Sequence, residues 1–136
     1  MPLHMEQFSL NELRVYRMAE ELADRTWELV RGWEAFARNT VGHQLVRAAD
    51  SVGANIAEGY GRASPLDHQR FVRTARGSLY EVRHFLRRAE KRGLIDKSQK
   101  KPLQLLLTEF LPALNAYLRS LGTNKERKPG GKVHDE

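Results

Sequence analysis

The chain has 136 residues, a formal charge of +6 and no cysteine, with 40% hydrophobic and 29% charged side chains. Such a length makes one domain able to bury its own core, and the missing thiols exclude disulfides and thiolate metal sites. No stretch of apolar residues reaches bilayer-spanning length, so no membrane partner is expected.

The N-terminus, "MPLHMEQFSL", lacks a basic region followed by an apolar run. It does not read as a signal peptide, and the cytoplasm is the expected location. The first helix is expected over about 10–32. Ser9 and Glu12 form a capping box at its start, and Leu13, Tyr16, Leu22, Thr26, Leu29 and Val30 mark its apolar side. A second helix, about 40–60, starts near Thr40 and carries Val41, Leu45, Ala48, Ala49, Val52 and Ile56 on one stripe. Gly59 or Gly61 ends it, in the left-handed turn that glycine accepts.

The third helix, about 65–92, opens on "SPLD", with Ser64 as cap, Pro65 at the first position and Asp67 favourable to the dipole. Its stripe is Val72, Ala75, Leu79, Val82, Leu86 and Ala89, and Gly93 stops it. The fourth, about 98–121, buries Leu103, Leu106, Leu107, Phe110, Leu114, Tyr117, Leu118 and Leu121. Pro112 falls inside it and should kink it or free a carbonyl one turn earlier. Residues 122–136 have little to bury and read as a disordered basic tail. Short connections and no competing strand pattern give an all-α fold, an antiparallel up-down-up-down four-helix bundle in a single domain over 1–121.

The stretch "SVGANIAEGYGR" looks like a phosphate loop but is not one. A phosphate loop follows a strand and opens a helix, whereas these glycines close a helix. Opposite the main stripe of helix two lie Val46, Gly53, Ala54 and Ala57, small residues that leave little to solvate. Gly53 inside a helix costs about 1 kcal/mol relative to alanine. Close approach by another helix, expected from a second copy of the chain, would offset that cost. Asn55 and Glu58 flank this surface and should have specific partners, with an arginine from a neighbouring helix for Glu58. Gly53, Ala54, Asn55, Ala57, Glu58 and Gly59 form the expected structural and oligomer-forming set.

Two segments together, "QLVRAADSVGANIAEGYGR" and "RFVRTARGSLYEV", resemble the signature of the four-helix-bundle family of 23S ribosomal RNA intervening-sequence proteins. The matching positions are Gln44, Arg47, Ala48, Ala49, Ser51, Asn55, Ile56, Ala57, Glu58, Gly59, Gly61 and Arg62. On helix three they are Phe71, Ala75, Gly77, Ser78, Leu79 and Glu81. The chain departs from that pattern in "WEAFARNTVG", which lacks the usual proline, and at Val46, where a second arginine is common. The resemblance implies a ring-like homopentamer without enzymatic activity. It also implies relatedness to accessory proteins of diversity-generating retroelements, which are basic and contact RNA and a reverse transcriptase.

Chemistry-bearing patterns are few. "EVRH", Glu81 to His84, has the Glu-x-x-His spacing of di-iron bundles. His84, however, falls opposite the core stripe and no second copy exists, so no metal and no cofactor are expected. His4, His43, His68 and His134 lack a partner at ligand spacing. The positive signal is charge. Residues 64–92 carry eight basic and three acidic side chains, a net +5. Arg70, Arg73, Arg76, Tyr80, Arg83, Arg87, Arg88 and Lys91 fall on the half of helix three opposite its apolar stripe. Arginine forks bind phosphates and tyrosine stacks on bases, so this face is the expected binding surface for RNA or DNA. The alternatives are a scaffold that docks an acidic protein partner through the same face, and an enzyme using Glu58 or Glu81.

Overall fold

The computed structural model describes residue 10 and residues 12–126, with side chains as far as Gly122. Four long helices stand out among the described residues: α1 (Arg14–Val30), α2 (His43–Tyr60), α3 (Pro65–Lys91) and α4 (Lys97–Glu126). No strand occurs among the described residues. Each helix packs on the next, and α4 returns against α1. The core they enclose is continuous and apolar.

The stripes of α2 and α3 lie in that core as the 3.6-residue period predicts. Leu45, Ala48, Ala49, Val52 and Ile56 of α2 are fully buried, as are Val72, Ala75, Leu79, Val82 and Ala89 of α3. On α4, Leu103, Leu106, Leu107, Phe110 and Leu114 are buried, while Tyr117, Leu118 and Leu121 are half-buried. The stripe of α1 is rotated from the expected one. Val15, Met18, Ala19, Leu22, Thr26 and Val30 face the core, and Leu13, Tyr16 and Leu29 lie at its edge.

Element ends differ from expectation in several places. The first helix begins at Arg14, with Leu13 at its N-cap and no side-chain cap. Ser9, the expected capping residue, lies outside the described residues. Helix two has a lead-in that begins five residues before Thr40. An α turn at Ala35–Ala37 continues as a π-helical turn at Arg38–Gly42. Glu34 starts it, its carboxylate accepting from the backbone N–H of Phe36 and of Ala37, both at 2.9 Å. Glycine is required at the end of the π turn. A Cβ on Gly42 would stand 2.7 Å from Val30 Cγ1 and 3.2 Å from Trp33 Cε3.

Helix α2 ends at Tyr60, and the capping residue Gly61 is right-handed at φ −82° instead of left-handed. Gly59 is small for another reason: a Cβ there would lie 2.9 Å from Phe71 Cβ and 3.1 Å from the His68 carbonyl oxygen. It is the point where α2 and α3 come together. Helix α3 starts as expected, Ser64 Oγ accepting from the Asp67 N–H at 3.3 Å with Pro65 at the first position. Gly93, at φ 76°, follows its end.

Asp96 and Gln99 cap α4 reciprocally. The Gln99 N–H donates to Asp96 Oδ1 at 2.8 Å and the Asp96 N–H to Gln99 Oε1 at 3.0 Å. The Gln99 N–H, with the Ser98 hydroxyl that also donates to Asp96 Oδ1, holds the Asp96 carboxyl below its ordinary range. Helix α4 continues through Pro112 as one element and extends to Glu126, five residues into the segment expected to be disordered. Proline has no N–H, so the Thr108 carbonyl, one turn earlier, loses its helical donor. The remainder of the expected tail, 127–136, lies outside the described residues.

Candidate functional site

The two sides of α3 are built from different residues. Toward α2 the seam is closed by small side chains and short hydrogen bonds. Ser51 Oγ and Ser78 Oγ meet at 2.9 Å, and Asn55 Nδ2 donates both to the Ser51 carbonyl at 2.8 Å and to its hydroxyl at 3.0 Å. Asn55 therefore belongs to a polar bridge between α2 and α3, which is a structural role.

Glu58 does not. It is exposed, and its partner is not an arginine of a neighbouring helix but Arg62, four residues on, at 2.8 Å. Arg62 also stands over the Phe71 ring, 4.9 Å from its centroid, which fixes the end of α2 against α3. Gly53 likewise finds its neighbour inside the chain: a Cβ on it would touch Ala19 Cβ at 3.4 Å. That is ordinary van der Waals contact, so α1 packs on Gly53 with room for a methyl group. Of the remaining small residues on that side, Val46 and Ala57 are half-buried and Ala54 is exposed.

Toward α4 the character changes. Here α3 and α4 bound an open cleft of about 460 Å³. Leu86 and Leu107 contribute its apolar part, Tyr80, Arg83, His84 and Arg87 line it from α3, and Lys100 and Gln104 from α4. Tyr80 is 50% exposed, and the Arg83 guanidinium stands 5.7 Å from its ring centroid. A cation at that distance is drawn to the ring's negative face, so the two side chains form one platform. Neither Arg83 nor Arg87 has a carboxylate at ion-pair distance among the described residues. Lys100 does: its Nζ donates to Glu90 Oε1 at 2.8 Å. That bond, with the charges of Lys100, Lys97 and Arg87, holds the Glu90 carboxyl below its ordinary range.

The expected basic face is therefore divided. Tyr80, Arg83 and Arg87 gather at the cleft. Arg76 turns away from solvent and donates to Asn115 Oδ1 of α4 at 3.0 Å, half-buried. It ties the helices together instead of offering a free fork, because Asn115 lies directly across the seam. Arg70 pairs with Asp67 at 3.2 Å, and Arg73 reaches Gln69 Oε1 at 3.4 Å. Arg88, also half-buried, lines a second cleft of about 640 Å³ with His43, His84, Phe85 and Arg92, beside the π turn. Lys91 is exposed at the end of α3. Sequence reasoning missed Lys100, Gln104 and His84 as cleft residues. The signal for the first two was the run "DKSQKKPLQ", which sets lysines at the start of α4, where the chain returns past the basic end of α3.

Glu81 and His84 are both exposed. No group of three or more His, Cys, Asp or Glu that could hold a metal ion occurs among the described residues. No described helix is long and apolar enough to cross a membrane. At the other end of α3, His68 and Tyr117 join α3 to α4, with His68 Nε2 and the Tyr117 hydroxyl 2.9 Å apart and Tyr60 edge-on to the imidazole. Burial, with a smaller contribution from Tyr60, pushes the Tyr117 phenol up to about 12. Burial also lowers His68. The bond therefore joins two groups whose charged forms burial disfavours.

Comparison with known proteins covers most of the chain. A family model described as 23S rRNA-intervening sequence protein matches residues 11–116. The fold is similar to a crystal structure from Bacteroides thetaiotaomicron of a protein with unknown function from the S23 ribosomal protein family. The two superpose with a TM-score of 0.69 at 23% identity, over 76% of this chain and 97% of that one. No curated protein matches.

Proposed function

The chain belongs to the 23S rRNA-intervening sequence protein family, and from that premise we propose that it is a non-catalytic, homo-oligomeric protein that binds RNA or DNA in the cleft between α3 and α4. One observation carries this reading. Tyr80, Arg83, Arg87 and Lys100 converge on a single opening, and neither arginine is ion-paired with a carboxylate among the described residues. A guanidinium outside an ion pair gives up no salt bridge when it turns to a ligand, and each offers a planar fork matched to a phosphate.

The helices are read as an antiparallel up-down-up-down bundle. The pairings support it: Gly59 meets Phe71 while Ser51 meets Ser78, and His68 meets Tyr117 while Lys100 meets Glu90. As one helix advances, its partner recedes. Homopentameric assembly, with the exposed Ala54 and Glu58 of α2 in the contact, would present five such clefts around a ring. A long polyanion could then engage several at once, and each further contact would be intramolecular. The proposed location is the cytoplasm.

Fluorescence anisotropy with labelled RNA and DNA oligonucleotides over a salt series tests the reading. Log affinity should fall linearly with log salt. The Arg83→Glu, Arg87→Glu double variant should weaken binding at least tenfold and reduce the slope by about two, one per lost phosphate contact. Binding indifferent to salt and to this double reversal overturns the proposal. Light scattering before and after nuclease treatment tests the assembly, and a monomer in both overturns the ring.

A further inference from the structure

We infer that the α3–α4 cleft takes a single-stranded nucleic acid, with one unstacked nucleotide seated in it and its base lying on Tyr80. This rests on the nucleic-acid reading of the same cleft and narrows it to one kind of strand. A basic surface that serves only duplex backbones needs spaced cations and no depth, because the phosphates ride on the outside of the helix. This site is instead a concave cleft between two helices. Its volume of about 460 Å³ falls within the roughly 300–1,000 Å³ typical of small-ligand pockets. A nucleotide within an intact duplex cannot enter such a cleft without leaving the stack, which costs a few kcal/mol per base. A single strand carries no such cost.

The lining fits a nucleotide part by part. Tyr80, half exposed and backed by Arg83, is a stacking platform of the sort that holds unpaired bases. The apolar surface of Leu86 and Leu107 takes the sugar or the base edge away from water. Arg87 beside Arg83 is placed for the flanking phosphates. Gln104, an amide with both donors and an acceptor, is the one neutral polar group from α4 and faces whichever base edge is presented. A side chain that can serve either role favours tolerance of sequence over a single base.

The test uses the full-length protein with three probes: a labelled oligouridylate, a duplex of the same length and inorganic polyphosphate. The variants are Tyr80→Ala, Tyr80→Phe and the Arg83→Glu, Arg87→Glu pair, each checked by circular dichroism. Tyr80 is half exposed, so neither of its variants should unfold. The expected result is tighter binding of the single strand than of the duplex. Tyr80→Ala should cost about 5- to 150-fold for the single strand, with the salt slope and polyphosphate binding unchanged. Tyr80→Phe should bind like the wild type. If duplex and single strand bind alike and Tyr80→Ala changes neither, while the double reversal abolishes both, the stacking inference is overturned and backbone binding survives. If the double reversal leaves all three probes bound, both the inference and the proposed function fall.

Discussion

Helix α3 has one neighbour it closes against and one it leaves ajar. Against α2, glycine and serine bring two backbones close enough for Gly59 to touch Phe71 and for Ser51 to bond Ser78. Against α4, the same helix presents arginines and a tyrosine, and the seam opens into a cleft. The difference teaches that packing distance is set by side-chain size position by position along one helix. Small residues give rigidity, and long cationic ones keep a groove and a field. A bundle with only the first kind of seam would have no site, and one with only the second would lose rigidity.

Adjacent residues break this comparison most sharply. Leu79 is fully buried and its neighbour Tyr80 is half exposed. Leu79→Ala should destabilise the fold by about 2–5 kcal/mol, the range for deleting a buried leucine. Tyr80→Ala should change it by less than about 0.5 kcal/mol, as surface substitutions do. Urea denaturation of the two variants measures both. Equal losses would mean that α3 has no division between a structural and a free side.

A second pair sharpens the comparison with a change of sign. Gly59→Ala places a Cβ at 2.9 Å from Phe71 Cβ and 3.1 Å from a backbone oxygen. Neither can move without the helix. Overpacking costs about 1–3 kcal/mol, against a gain of about 1 kcal/mol in helix propensity, so a net loss of about 1 kcal/mol is expected. At Gly77 nothing lies within 4 Å of the added Cβ, and Gly77→Ala should stabilise by about 0.5–1 kcal/mol. Thermal melts of both variants against wild type decide it. A loss at Gly77 would set a neighbouring copy of the chain against that position.

Much of this was legible in the sequence, for a reason that also marks where legibility stopped. Periodicity is local, so the stripes of α2 and α3 could be read directly, as could the Ser64–Pro65 start and the Gly93 end. The face of α1 was misjudged because bulky Leu13 and Tyr16 draw the eye, while Ala19, which receives Gly53, carries little hydrophobic signal. Whether Arg76 is free depends on Asn115, thirty-nine residues away and across a seam whose register no local pattern gives. The Glu58–Arg62 pair satisfies the local i, i+4 spacing, which competes successfully with the expected partner on another helix. The cleft itself was half legible. Tyr80, Arg83 and Arg87 share a face of α3, but Lys100 and Gln104 join them only once the turn at Gly93 sets how α4 returns.

The smallest expected effect concerns the end of the bundle, where α3 meets both neighbours at His68. Its ring lies 3.2 Å from where a Cβ on Gly59 would stand, and its Nε2 meets the Tyr117 hydroxyl. Burial lowers the folded pKa below the ordinary 6.5. The sign follows from proton counting: between the lowered value and 6.5 the unfolded chain binds the proton more readily than the folded one. Stability is therefore complete above 6.5 and declines as the pH falls through this window. Asp50 runs the other way, because burial and then the charge of Asp24 raise its carboxyl above 3.8. Comparing wild type with His68→Gln at each pH cancels that contribution, since Asp50 is common to both. The stability difference between the two proteins should shift toward His68→Gln as the pH drops below 6.5. A difference that stays flat with pH would mean that protonated His68 is accommodated in the folded chain, and that this end of α3 is as open to water as the cleft at the other.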